Sequence, residues 1–134
     1  MDVARVSHLV EYPVRLDYEK PSPPWPPADI VLVAPATINT VNKFAAGSAD
    51  SVALGLLTEL FGVDLPVVIA PNVNPALARH PRFRKSIEEL RQWGVHILFD
   101  PSAPPPTWMA SWRTIADTCS LLLAHPELAR KPTP

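Results

Sequence analysis

The chain has 134 residues, 47% of them hydrophobic, and a formal net charge of −1. That composition is enough for one modest domain with a packed core, and the balanced charge leaves no electrostatic footprint for nucleic acid or an anionic membrane. No apolar run approaches the ~20 residues of a membrane span, and a single cysteine, Cys119, excludes an intrachain disulfide framework and a multi-cysteine metal site.

The N-terminal residues "MDVARVSHLVEY" lack a continuous apolar segment and a small-residue cleavage site, so a cytoplasmic location is expected. Val3, Val6 and Val10 suit one face of a short helix. Proline, 18 residues in all, is concentrated in two places. Pro21, Pro23, Pro24, Pro26 and Pro27 crowd one stretch, and Pro101, Pro104, Pro105 and Pro106 another. Such runs favour extended backbone without internal hydrogen bonds, so both are read as stiff connectors. Recognition of Pro104–Pro106 by another domain is the second reading.

"DIVLVAPA" is a continuous β-branched run, as in a strand covered on both faces of a parallel sheet. It is expected to be the most buried strand and to need a neighbour on each side. Nothing among the 28 or so preceding residues reads as one of those neighbours. Thr37 is placed to cap a helix that stops at Gly47. A second helix is expected from Ser48 or Asp50 to Phe61, with Gly62 just past its end. It is apolar almost all round and therefore expected to be deeply buried.

The pattern then repeats. "LPVVIAP" is a second buried strand, again leaving through Ala-Pro. "NVNPALARH" is a loop or short helical turn, and Pro81 suits the first turn of a helix with Phe83, Ile87 and Leu90 on its apolar stripe. Gly94 ends that helix, and "VHILFD" is the third strand. Trp108, Trp112, Ile115, Cys119 and Leu122 make one apolar helical face, closed by His125-Pro126. The tail "ELARKPTP" is expected to fray.

Strands alternating with helices predict an α/β fold: a Rossmann-like, three-layer α/β/α arrangement on a parallel sheet. The expected division is a helix and connector over 1–27, a βαβαβ core over 28–100, and a connector, helix and tail over 101–134.

In open parallel sheets, ligands sit beyond the carboxyl ends of the strands. From the first exit come Thr37, Ile38, Asn39 and Thr40 at a helix N-terminus. From the second come Asn72, Val73 and Asn74. Hydroxyls and amides both donate and accept, which suits an amide, a carboxylate or the N–C=O edge of a heterocycle. Neutral groups without carboxylates or histidines suit a cofactor that carries its own reactivity. The bland alternative is local: Thr37 as a cap, Asn39 and Thr40 as first-turn residues, Asn72 and Asn74 as turn formers. His8, His80, His96 and His125 have no metal-ligand spacing. His96 is expected to be exposed, and Cys119 to be packing.

"PATINT" (Pro35 to Thr40) resembles the Pro-Ala-Ser-Ala-Asn-Thr motif of the homo-oligomeric flavin-containing cysteine decarboxylases, a flavoprotein family that includes phosphopantothenoylcysteine decarboxylase. "APNVNPALARHP" is similar to that family's second motif, with Pro71 and Asn74 on its Pro and Asn. The resemblance implies FMN as cofactor. It also implies Thr37, Ile38, Asn39, Thr40, Asn72, Val73 and Asn74 against the flavin, with Asn39 as the catalytic residue holding a substrate carboxylate. It implies a small thiol- or carboxylate-bearing substrate or a peptide, and a homo-oligomer, a trimer or a multiple of it. Four departures stand against it. No glycine precedes Gly47, so the family's phosphate-cradling loop is not found. Proline-rich "PSPPWPPAD" stands where the catalytic histidine belongs, Leu77 and Ala78 replace Met-Trp, and "PSAPPPTW" replaces the cysteine flap. Two alternatives stay open: a non-catalytic or regulatory subunit, or an N-terminally shortened flavoprotein, with weak or no FMN binding.

Overall fold

The run Val67-Val68-Ile69-Ala70-Pro71 is apolar and mostly β-branched, stiff at χ1 and suited to a pleated surface. It forms the middle strand of a three-stranded parallel sheet, and all five residues are buried. The computed structural model describes residues 2–11, 14, 27–99, 101–102 and 108–129. Their order is α1 (Val3–Leu9), β1 (Val31–Ala36), α2 (Ile38–Ala45), α3 (Val52–Gly62), β2 (Val67–Pro71), α4 (Pro75–Ala78), α5 (Pro81–Gln92), β3 (His96–Ile97), α6 (Trp112–Ala124) and a 3₁₀ turn (Pro126–Ala129). Most of the first proline-rich connector, Pro104–Pro106 in the second, and the end of the tail lie outside the described residues.

The sheet runs β1-β2-β3. Val31, Leu32 and Val33 lie opposite Val67, Val68 and Ile69; the register then shifts, and Ala36 lies opposite Pro71. The Ala34–Pro35 peptide bond is cis. Right-handed crossovers between parallel strands put α2, α3 and α5 on one face. The main core forms there from Phe44, Leu57, Ile69, Phe83 and Leu90, with Val31 and Val33 packed against it. On the opposite face α6 lays Ile115 against Ala70 and Ala110, with Ala34 and Cys119 alongside. The three-layer α/β/α arrangement is therefore present. A buried polar link joins two helices of the first layer: fully buried Ser86 on α5 donates its hydroxyl to Asn42 Oδ1 on α2 at 2.9 Å.

Several expectations need correction. β1 is not the most buried strand; β2 is, and Leu32 on β1 is 45% exposed. β1 is an edge strand among the described residues, so its hydrophobicity is only partly used. α3 is not buried all round: only Leu54 and Leu57 are. It starts at Val52 behind the Ser51 cap, and Asp64, not Gly62, takes the left-handed conformation after it (φ 66°). The third strand contracts to His96–Ile97, with Phe99 joined to Met109 by an isolated antiparallel bridge. The predicted α6 stripe splits: Ile115 and Leu122 are buried, Trp112 is 62% exposed, and Trp108 precedes the helix and packs on the main core. His96 is half-buried rather than exposed.

Three tests follow from this packing. Ser86→Ala removes the donor from a buried hydrogen bond and should lower unfolding free energy by about 1–2 kcal/mol. Thr58→Val should be neutral or stabilising in the same denaturant titration, because Thr58 Oγ1 is buried without a hydrogen-bond partner among the described residues. Burial holds the His96 imidazole below its ordinary value of 6.5. The unfolded chain then takes up its proton at higher pH than the fold does. The stability His96 contributes is complete above pH 6.5 and is lost as pH falls from there toward the depressed folded value. Thermal unfolding at a series of pH values should show a drop in Tm through this window that is smaller in His96→Gln.

Candidate functional site

The carboxyl ends of β1 and β2 are tied together. The Asn72 N–H donates to the Ala36 carbonyl at 2.8 Å, one residue beyond the Ala36–Pro71 pair. The structure therefore brings all seven predicted residues to one end of the sheet: Thr37, Ile38, Asn39 and Thr40 from β1, and Asn72, Val73 and Asn74 from β2.

Their side chains are not equally available. Thr37 is the N-cap of α2: its Oγ1 accepts from the Thr40 N–H at 3.2 Å and lies 3.1 Å from Thr40 Oγ1. Asn74 is the N-cap of α4, its Oδ1 accepting from the Leu77 N–H at 2.9 Å. Both satisfy N–H groups that a helix start leaves orphaned. Ile38 is half-buried against the main core. Val73 is buried in that core, and its carbonyl accepts from the Trp108 N–H at 3.2 Å, so it anchors the loop. Asn39 and Asn72 are different. Both are exposed, and neither side chain hydrogen-bonds any described residue. The backbone N–H groups of Ile38 and Asn39, in the first turn of α2, likewise bond to no described acceptor.

The electrostatics are mild. None of the seven carries a formal charge, and the start of α2 adds the partial positive charge of a helix N-terminus. The nearest cation along the helix is already engaged: Lys43 Nζ lies 2.6 Å from Asp50 Oδ2. Hydrogen bonding to Lys43 holds the Asp50 carboxyl below its usual value. No three of His, Cys, Asp or Glu are grouped as metal ligands among the described residues. Cys119 lies on the α6 face of the sheet, and burial pushes its thiol up, away from thiolate reactivity. A cleft of about 480 Å³ lies at the other end of the sheet, beside Asp29, Pro66, Leu122 and Leu123.

Two residues at this end of the sheet were not predicted to matter. His80 caps α5, its Nδ1 accepting from the Arg82 N–H at 3.1 Å. A polar residue directly before a proline at the first helical position is a cap signal, so this was recoverable from "RHP". Trp108 fastens the second exit loop through Val73 and stacks edge-on against Phe99, with ring centroids 5.8 Å apart. No sequence signal distinguishes it from the helical stripe that follows.

Comparison with known proteins adds three kinds of finding. The family model described as Flavoprotein matches residues 17–123. The coenzyme A biosynthesis bifunctional protein CoaBC of Thermococcus kodakarensis is 38% identical over 71 residues, which is 53% of this chain and 17% of that protein. The phosphopantothenoylcysteine decarboxylase of Mus musculus is 31% identical over 67 residues, 50% of this chain and 32% of that protein. The matched stretch is thus less than half of either relative's length. Among solved structures, the FMN-dependent cysteine decarboxylase SpaF superposes with a TM-score of 0.73 at 23% identity. It covers 92% of this chain and 73% of its own, and shows the fold.

The division between committed and uncommitted side chains is testable. Thr37→Ala and Asn74→Ala should each cost about 1 kcal/mol of stability as lost caps. Asn39→Ala should stay within about 0.5 kcal/mol of wild type in the same titration.

Proposed function

The chain belongs to the Flavoprotein family, and from that premise we propose that it binds FMN at the paired exits of β1 and β2 and acts on a small thiol- or carboxylate-bearing substrate. The observation that carries this reading is the uncommitted pair Asn39 and Asn72. Both amides are exposed and spend no hydrogen bond on the described fold, which leaves them available to a ligand, and they stand at one end of a parallel sheet where such folds bind ligands.

The residues present fit the ring of a flavin. A heterocycle edge of alternating N–H and C=O groups meets amides that donate and accept. The free N–H groups of Ile38 and Asn39 favour an electron-rich edge at the start of α2. Thr37, Thr40 and Asn74 would shape the rim while capping their own helices, and Val73 would hold the loop behind it. Asn39 would orient a substrate carboxylate by donating from its amide. FMN, when bound, would supply the electron sink for oxidising a thiol-bearing substrate. The relatives' names, a phosphopantothenoylcysteine decarboxylase and an FMN-dependent cysteine decarboxylase, support that substrate class. The reading includes a cytoplasmic homo-oligomer, a trimer or a multiple of one. No helix among the described residues is long and apolar enough to cross a membrane.

A second reading is favoured by one specific observation. The phosphate of FMN needs a close backbone approach that glycine permits, and the sequence has no glycine before Gly47. A regulatory or non-catalytic flavoprotein subunit that binds FMN weakly would need no such loop.

Titration of purified chain with FMN, followed by quenching of flavin fluorescence, tests the site. Asn39→Ala should weaken binding by about tenfold, equivalent to ~1.4 kcal/mol, with the fold unchanged by circular dichroism. Absence of saturable binding at millimolar FMN would exclude the site in this chain alone.

A further inference from the structure

Past their last residues, β2 and β3 are caught by the same short segment. Val73 lies two residues beyond β2, and its carbonyl accepts from the Trp108 N–H at 3.2 Å. Phe99 lies two residues beyond β3 and pairs with Met109 in the antiparallel bridge. Residues 108–110 also grip both faces of the sheet. Trp108 packs on the main core, while Met109 and buried Ala110 pack with Ala70 and Ile115 on the α6 face. The segment is thus a strap laid across the carboxyl ends of β2 and β3.

The strap is seated on rings. Trp108 meets Phe99 edge-on, with centroids 5.8 Å apart, and Phe99 meets Phe83 the same way at 5.7 Å. Phe83 belongs to α5 and is fully buried. Edge-to-face contact sets the positive rim of one ring against the negative face of the next, so it fixes angle as well as distance. The chain of three rings carries the fixed position of a core residue outward to the main chain of Trp108. Packing therefore aims the Trp108 N–H at the Val73 carbonyl.

The place of Val73 gives that bond its consequence. Burial alternates through the exit: Pro71 and Val73 are buried, Asn72 and Asn74 exposed. Successive side chains of an extended backbone point to opposite sides, so a Val73 held by both its side chain and its carbonyl sets the direction of the asparagines on either side of it. Asn74 has an anchor of its own in the Leu77 N–H. Asn72 depends on its main chain. Its N–H is tied to the Ala36 carbonyl, and the next carbonyl but one along the chain direction, that of Val73, is tied to Trp108. The two ties bracket the Asn72 and Val73 Cα atoms, and between them lie the soft dihedrals that aim the Asn72 amide.

We propose that Trp108 is a positioning residue of the second exit: through the Val73 carbonyl it fixes the direction in which Asn72 is presented to a ligand. That the ligand is a flavin rests on the reading above; the positioning itself does not.

Hydrogen exchange on the ligand-free chain reads the positioning directly. Trp108→Ala should speed exchange of the Asn72 amide, bonded to Ala36, and of the Leu77 amide, bonded to Asn74, about tenfold more than exchange of the Val68 and Ile69 amides inside β2. Trp108→Phe keeps a ring against Phe99 and should restore wild-type protection. Phe99→Leu fills the core but removes the edge-on partner, and it should give the same selective loosening where Trp108→Ala does not fold. Ser86→Ala weakens the fold between α2 and α5 and should leave the ratio unchanged. In a flavin titration of the same proteins, Trp108→Ala should bind FMN about tenfold more weakly, and Trp108→Phe within about twofold of wild type. Equal loosening of all four amides, or wild-type exchange at Asn72 and Leu77, overturns the proposal. So does unchanged FMN affinity beside selective loosening. Selective loosening in a chain whose wild type binds no FMN leaves Trp108 in its role and removes the flavin reading instead.

Discussion

The parallel pairing of β1 with β2, closed at its end by the Asn72 N–H on the Ala36 carbonyl, sets the geometry of the whole molecule. It fixes which residues reach the sheet's carboxyl end together. A slip of one residue would turn Val31 and Val33 out of the main core and bring Leu32 in, exchanging the faces of the strand. It would also separate the exit at Thr37 from the exit at Asn72. The register is therefore held from two directions, by burial of alternate side chains along the strand and by a hydrogen bond at the end where the polar groups begin.

At that end, local and functional demands on the same residue types separate cleanly. Thr37 and Asn74 occupy equivalent positions, each directly before a helix, and each spends its side-chain oxygen on a backbone N–H three residues on. Asn39 and Asn72 each lie two residues from those caps and have no such duty. Placement makes the difference: Asn39 lies inside the first turn of α2, where Thr37 already serves as cap, and Asn72 lies in the loop ahead of the Asn74 cap. On the proposed reading, binding would rest on two amides and on the free N–H groups at the start of α2, with the capping residues holding these in position.

Much of this was legible in the sequence because it depends on neighbours close in the chain. The Thr37 cap, the Pro81 start, the two Ala-Pro exits and the alternation of strand and helix are local signals, and all are present. What was misread depends on position in the sheet. β1 and β2 have nearly the same hydrophobicity, yet Leu32 is exposed and Val68, its partner across the pair, is fully buried. Composition records what a strand can bury; only strand order says how much it does. The same reason covers α3, whose apolar outer residues promised deep burial, and Trp112, which shares the α6 stripe with Ile115 but overhangs the sheet. Asn39 and Asn72 were named as candidates from the two strand exits, but a sequence could not separate them from Thr37 and Asn74, because the distinction is made by hydrogen bonds.

Leu32 and Trp112 are apolar residues whose sequence context predicts burial, and both are exposed; Leu32 lies on β1, the edge strand among the described residues. The proposed flavin site lies at the exit of the same strand. A molecule seated at Thr37–Thr40 would favour the state in which β1 is ordered and its exit fixed. On the proposed reading, the edge position of β1 among the described residues therefore ties how firmly the strand is held to how well its exit would grip a ring.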